Sequence, residues 1–314
     1  MSYCKSCTRG LCLLLFPCLV SVFSSCQSAP EEVADPDNLC TINFSVNNYE
    51  QVSFDDVSAS SSSALTRADI PTDHPSTLAH LIVAVFDAES GKQACQPIQH
   101  DQSDYTTTPE AYPKFSVTLP YGRYRLLVLG YNGSRQCNIA SVTRISWEDD
   151  YVPNTFYYYE EFTLDQNTSL EQTLTLKHAV AAFSILTEDK APSELKKMRF
   201  SSSVGGTILN AATGFTPQST GRTSVIEVPD KYLGIRDTFT VYLFLPQEQV
   251  NGASYTVQAL GKNDAVLYGK TFSDVPLRID YLTSWKGTFF ETSEDVGFSL
   301  YWDTQWADTI SIGQ

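Results

Sequence analysis

The sequence predicts an all-β protein built as antiparallel sandwiches. Two observations carry this. Short runs rich in β-branched and aromatic residues recur every 8–15 residues, separated by Gly, Pro, Asn and Ser. No segment sustains a 3.6-residue apolar pattern beyond two turns; only Val33–Asp37 and Pro192–Lys197 suit a single turn of helix.

The chain opens differently. Lys5 and Arg9 precede the mostly apolar Leu11–Cys26, LCLLLFPCLVSVFSSC, which ends on the small residues Ser24 and Ser25. Basic, apolar, then small is the pattern of a secretory signal. The apolar run is too short to cross a bilayer core of about 30 Å, which takes roughly 20 residues. A cysteine directly after two small residues is what lipoprotein processing uses: the thiol takes a diacylglycerol, residues 1–25 are removed, and Cys26 becomes the new N-terminus. The alternative is an ordinary cleavage site with an incidental cysteine. Residues 27–39, acidic and carrying two prolines, read as a tether.

The first expected strand is Thr41–Val46, with Ile42, Phe44 and Val46 on one face. Ser58–Ala64 is a low-complexity loop. Leu78–Asp87 is apolar almost throughout and reads as a central strand buried on both faces. Lys114–Leu119 and Tyr124–Tyr131 flank a Pro-Tyr-Gly-Arg turn, and Phe156–Leu164 and Leu170–Leu176 follow. At Lys177-His178 the pattern restarts, which sets a domain junction. Ala179–Leu186, Leu195–Ser201, Thr223–Val228, the apolar Phe239–Leu245, a hairpin of Tyr255–Leu260 and Ala265–Phe272, then Tyr281–Phe290 and Gly297–Tyr301 complete the second half. The organisation expected is a signal peptide at 1–25, a lipidated tether at 26–39, and sandwiches at 40–176 and 177–314. The two halves look like variants of one plan.

The chain has 21 basic and 36 acidic residues. Removing residues 1–25 takes away Lys5 and Arg9 and no acid, leaving 19 against 36, a net charge of −17. Such a surface repels phosphates, so nucleic acid is excluded as a partner; solubility alone also accounts for the charge. Of eight cysteines, four leave with the signal and Cys26 takes the lipid. Cys40, Cys95 and Cys137 remain. Three pairings are open, Cys95–Cys137 first among them, with three reduced thiols as the equal alternative.

Nothing in the chain reads as catalytic. His74, His80, His100 and His178 are scattered without ligand spacing, and there is no CxxC, GxSxG or phosphate-binding loop, so neither a metal nor a cofactor is expected. Gly205-Gly206 lacks the Lys-Ser/Thr that phosphate cradling needs. The acidic pairs Asp149-Asp150, Glu160-Glu161 and Glu294-Asp295 read as solvated loop charge. Tyr151 and Phe156–Tyr159 suit sugar stacking or, more simply, a partly covered strand. Trp302 and Trp306 suit a binding face or a plug for the last strand.

The acidic QSAPEE after Cys26, LIVAVFD with its Gly turn, YGRYRLLVLGYN, LTLKHAVAAFSIL, VYLFLP and IDYLTSWKGTFF follow one another through most of the chain. In that order they resemble the fimbrial anchor and minor-subunit lipoproteins of the Bacteroidales, in the fimbrillin superfamily. At the junction this chain has His178 where many relatives have Arg. The resemblance implies two tandem transthyretin-like sandwiches and a non-catalytic role as a fimbrial subunit held in the outer membrane by acyl chains on Cys26. The implied partners are fimbrial stalk subunits, bound by strand exchange. It also implies an alternative: stalk or tip subunits lose the lipid by cleavage after an Arg in an early loop, and Arg67 stands in such a place. A surface glycan-binding lipoprotein using the Tyr151–Tyr159 aromatics is the rival of another class.

Overall fold

The computed structural model describes residues 38–49, 78–101, 114–166, 168, 171–291 and 300–302. The signal, Cys26, Arg67, His74, Glu294-Asp295 and Trp306 lie outside the described residues. Helical structure among those described is confined to short 3-10 turns, such as 148–150, 230–232 and 262–264. The chain is all-β.

The N-terminal half holds β1 (Leu39–Tyr49), β2 (His80–Asp87), β3 (Ile98–Asp101), β4 (Lys114–Pro120), β5 (Gly122–Asn132), β6 (Cys137–Ser141), β7 (Arg144–Trp147), β8 (Asn154–Leu164) and β9 (Glu171–His178). Seven of these form one sheet, ordered β3-β2-β5-β8-β9-β1-β4. The sheet is hinged. β8 and β9 pair only at Phe156↔His178 and Tyr157↔Lys177, so β9-β1-β4 folds over β3-β2-β5-β8. Ile42, Phe44, Phe115, Val117, Leu174 and Leu176 from one wing meet Leu81, Val83, Val85, Leu126 and Val128 from the other in a single core.

β2 is a central strand with both faces buried, as its apolar run predicts. Leu81, Val83 and Val85 enter that core. Ile82, Ala84 and Phe86 enter a second one, shared with Ala179, Val180, Ala182, Leu209, Phe244 and Leu282 of the C-terminal half. The small β6–β7 ribbon covers this second core through Ile145 and Trp147. The backbones of Ile145 and Leu209 exchange hydrogen bonds at 3.0 and 2.8 Å across it.

The C-terminal half holds β10 (Ala181–Thr187), β11 (Lys197–Ser202), β12 (Arg222–Glu227), β13 (Thr238–Leu243), β14 (Gln249–Leu260), β15 (Val266–Arg278), β16 (Leu282–Gly287) and β17 (Leu300–Trp302). They form two four-stranded sheets, β13-β10-β16-β17 and β12-β11-β14-β15. Phe183, Val241 and Trp285 from the first interleave with Phe200, Tyr255, Val257 and Phe272 from the second in a third core. The β14–β15 hairpin turns at 262–264, where Asn263 and Asp264 take positive φ of 58° and 56°. Asn and Asp tolerate that conformation, so the Gly261-Lys-Asn-Asp turn is where the sequence puts it.

The sheets are mixed rather than purely antiparallel. β1 runs parallel to β9 and β10 parallel to β16. Period-two patterning is blind to strand direction, so alternation alone could not distinguish these pairs. Pro192–Lys197 holds a turn closed by Leu195 N–H donating to Pro192 O at 3.1 Å, with no helix.

Candidate interaction site

β1 is the strand on which a fimbrial reading turns. It lies between β4, antiparallel from Leu39↔Pro120 to Ser45↔Lys114, and β9, parallel from Asn43↔Glu171 onward. Ile42, Phe44 and Val46 alternate inward and are buried. At about 1.5–3 kcal/mol for each such side chain, they hold β1 with roughly 4–9 kcal/mol of apolar burial. The outward residues are short and polar. Thr41 Oγ1 meets Thr118 Oγ1 at 2.7 Å, Asn43 Nδ2 donates to Glu171 Oε1 at 2.9 Å, and Ser116 Oγ donates to Asn43 Oδ1 at 2.6 Å. The strand thus has one greasy face and one wet face. Without it, β4 and β9 would each present a bare backbone edge over an open core.

The described histidines are structural. His178 Nε2 meets Asn154 Oδ1 at 2.9 Å, Nδ1 meets Asp280, and the ring stacks on Phe156 at 3.8 Å. The residue that restarts the sequence pattern therefore ties β8 and β9 to the β15–β16 turn. His80 Nε2 donates to Gly133 O at 2.8 Å, and its Nδ1 meets Asp101 Oδ1 at 2.6 Å. Donors from Gln99 and His80 hold the Asp101 carboxyl below its ordinary range. His100 packs edge-on against Phe115. Among the described residues no three His, Cys, Asp or Glu side chains gather as a metal site.

The aromatic run on β8 does not make a platform. Phe156 and Tyr158 face the N-terminal core, whereas Tyr157 and Tyr159 face the shared core. Tyr158 Oη donates to Glu160 at 2.6 Å and Tyr159 Oη to Glu161 at 2.9 Å. Arg125 Nε also binds Glu161, at 2.9 Å. Of Tyr151 and Phe156–Tyr159, Tyr151 alone is exposed. Asp149 and Asp150 are exposed on the turn before it, both at positive φ. Gly205-Gly206 is a packing device: a Cβ on Gly206 would stand 2.3 Å from Gln218 O and from Thr216 Oγ1.

Cys40, Cys95 and Cys137 are free thiols. The Cys95–Cys137 bridge is not made. Cys95 packs against the N-terminal core and Cys137 against the shared core, on opposite sides of the β2–β5 wing. Burial pushes the Cys95 thiol up and the Cys137 thiol up to about 12.

A buried carboxylate that the sequence reading passed over fixes the chain after β16. Asp189 accepts from Phe289 N–H at 3.0 Å and from Phe290 N–H. Its only sequence signal is an acid closing an apolar strand, which most loops share.

A family model matches residues 37–312, well over half of the chain. The chain belongs to a family of unknown function, DUF6562. No curated protein matches it. Solved structures are similar to this chain over most of their own length, three of them as follows. The fimbrial anchor protein Mfa2 from Porphyromonas gingivalis is 14% identical, with 79% of this chain and 91% of that chain covered and a TM-score of 0.36. The tip fimbrial protein Mfa3 from Porphyromonas gingivalis, with C-terminal truncation, is 10% identical over 83% and 99%, TM-score 0.40. A fimbrial assembly protein from Parabacteroides distasonis is 12% identical over 84% and 96%, TM-score 0.41.

Proposed function

We propose that this protein is a structural subunit of a fimbria: the lipid-anchored base that holds the fibre to the outer membrane and binds its first stalk subunit. Residues 1–25 direct export, Cys26 carries the acyl chains, and residues 26–39 give reach. Residues 40–176 and 177–314 are the tandem transthyretin-like sandwiches. The role is mechanical, and no catalytic residue is assigned.

The observation that carries the reading is the seat of β1. Leu39, where β1 begins, follows Cys26 closely in the chain, so whatever holds β1 also holds the lipid to the fold. With Ile42, Phe44 and Val46 buried between β4 and β9, membrane tether and sandwich are one continuous load path. The stalk subunit then binds by strand complementation on another sheet edge, where an incoming strand pairs with unsatisfied N–H and C=O groups. A multiply acylated cysteine is a stable anchor, whereas a single chain holds marginally.

A second reading is favoured by the same strand. β1 is followed by Arg67 before β2 begins. Cleavage after Arg67 would free β1 and open a groove for a neighbour's strand, as a stalk or tip subunit requires. A third reading, a glycan-binding surface lipoprotein, retains Tyr151 but loses the row of aromatics on β8.

Terminal analysis of protein taken from cells separates the first two: acylated Cys26 supports the anchor, and a free Ala68 supports the stalk or tip subunit. Cys26→Ala is expected to release fimbriae into the medium with assembly intact. Unchanged surface retention would rule out the anchor.

A further inference from the structure

His80 opens β2 on the side of the seven-stranded sheet where β3 is the outermost described strand. β3 is four residues long and pairs with β2 from His80↔Asp101 to Val83↔Ile98. An edge strand that short is held from one side only, so the bonds at its ends weigh heavily. Residues directly opposite in antiparallel strands project from one face. His80 therefore shares a face with Asp101 on β3 and with Tyr131 on β5, the face that carries the second core. The imidazole stacks on the buried Tyr131 ring at 4.7 Å, which fixes its plane.

Both ring nitrogens meet acceptors. Nε2 meets Gly133 O at 2.8 Å, in the turn after β5, and Nδ1 meets Asp101 Oδ1 at 2.6 Å. A peptide carbonyl only accepts, so Nε2 carries a proton. Gln99 Nε2 donates to the same Asp101 Oδ1 at 2.9 Å and, with the ring, keeps that carboxyl ionised and below its ordinary range. An ionised carboxylate also only accepts, so Nδ1 carries a proton too. The ring satisfies its surroundings only as the imidazolium. A neutral ring has one N–H and would set a lone pair against an oxygen at one end or the other.

His178 makes the contrast. Its Nδ1 meets Asp280 and its Nε2 meets Asn154 Oδ1. A side-chain amide can turn over and offer its NH2 instead, so a neutral His178 finds a donor where a neutral His80 finds none. Around His80, burial raises the Tyr131 phenol and pushes the Cys137 thiol, packed into the same core, up to about 12, so neither changes charge near neutrality. His100, beside Asp101 in the chain, lies on the opposite face of β3, edge-on to Phe115.

We propose that His80 is a proton-held clasp. While the ring carries two protons it fastens the end of β3 to β2 and to the turn after β5; when an alkaline medium removes one, a contact is lost and β3 loosens at the edge of the sheet. The sign follows from counting protons. An unfolded imidazole gives up its second proton near pH 6.5, so above about that pH the folded chain holds a proton that the unfolded chain does not. Stability falls with rising pH wherever the folded state binds more protons. The clasp is thus complete in mild acid and is lost on the alkaline side.

Nitrogen NMR of the full chain with isotope-labelled histidine reads the proton count directly. At neutral pH both ring nitrogens of His80, assigned by their disappearance in His80→Gln, are expected to carry protons; a ring with a single N–H would overturn the assignment. Urea unfolding from mild acid to mild alkali gives a second reading. The folding equilibrium constant of the wild type should fall with pH more steeply than that of Asp101→Asn, by up to the roughly tenfold per pH unit that one proton allows. Asparagine keeps an oxygen for Gln99 and offers an N–H to a neutral ring, so this variant needs one proton fewer. His100→Gln should retain the wild-type slope. Hydrogen exchange, corrected for its intrinsic base catalysis, should speed up severalfold at the amides of β3 across the same range in the wild type and not in Asp101→Asn. Equal pH slopes for the wild type and Asp101→Asn, loss of the slope in His100→Gln, or protection of β3 that does not change with pH would equally overturn it.

Discussion

β1 and β10 hold equivalent places in the two halves. Each is the first strand of its half, with a parallel late strand on one side and an antiparallel middle strand on the other: β9 and β4 for β1, β16 and β13 for β10. Their surroundings differ. β10 is buried on both faces, with Phe183 and Ile185 in the third core, Ala182 in the shared core, and Ser184 donating to Ser284 at 2.8 Å. β1 buries one face and shows Thr41, Asn43 and Ser45 on the other. One plan thus yields a strand that is locked in and a strand that is only seated. A strand wetted on one side leaves at a smaller cost, because its departure uncovers one core and not two.

Four substitutions break or sharpen that contrast. Phe183→Ala should be the most damaging, removing about 4–5 kcal/mol from a ring that touches Phe200, Tyr255 and Phe272. Urea unfolding should show the loss throughout the C-terminal half. Phe44→Ala should cost about 3–4 kcal/mol. Its effect should be local: hydrogen exchange speeds up at amides of β1, β4 and β9 while those of β10 and β14 keep their protection. Faster exchange at β10 would mean that the two strands do not differ as described. Ala182→Asn, on the second face of β10, should cost about 2–3 kcal/mol by burying an unpaired amide. Asn43→Ala, on the second face of β1, should cost under about 1 kcal/mol, since water replaces the bonds to Glu171 and Ser116. Equal melting temperatures for these last two variants would erase the distinction between the two outer faces.

The contrast also marks what a sequence discloses. That β2 is buried on both sides was readable from LIVAVF, because an unbroken apolar run has no other use in a strand. The inward set Ile42, Phe44, Val46 was readable from alternation. Parallel pairing of β1 with β9 was not, since alternation carries no direction. The β6–β7 ribbon was missed because Cys137–Trp147 is short and mixes polar and apolar residues without a period, yet Ile145 and Trp147 cover the shared core. The restart of the pattern at Lys177-His178 was legible; that His178 would reach Asp280 was not, for the two are far apart in the chain. The meeting of His80 with Asp101 exists only in the register of β2 and β3, and no local pattern announces it.

The thiols give the position of β1 a practical consequence. Cys40 rides on β1, ahead of Arg67, whereas Cys95 and Cys137 come after it. A chain cut after Arg67 keeps two cysteines; a chain whose Cys26 is acylated and which keeps its first strand has three to titrate once it is denatured. On the proposed fimbrial reading, counting sulfhydryls in unfolded protein stripped from purified fibres is therefore a census of which subunits have shed their leading strand, and it needs neither an antibody nor an engineered label.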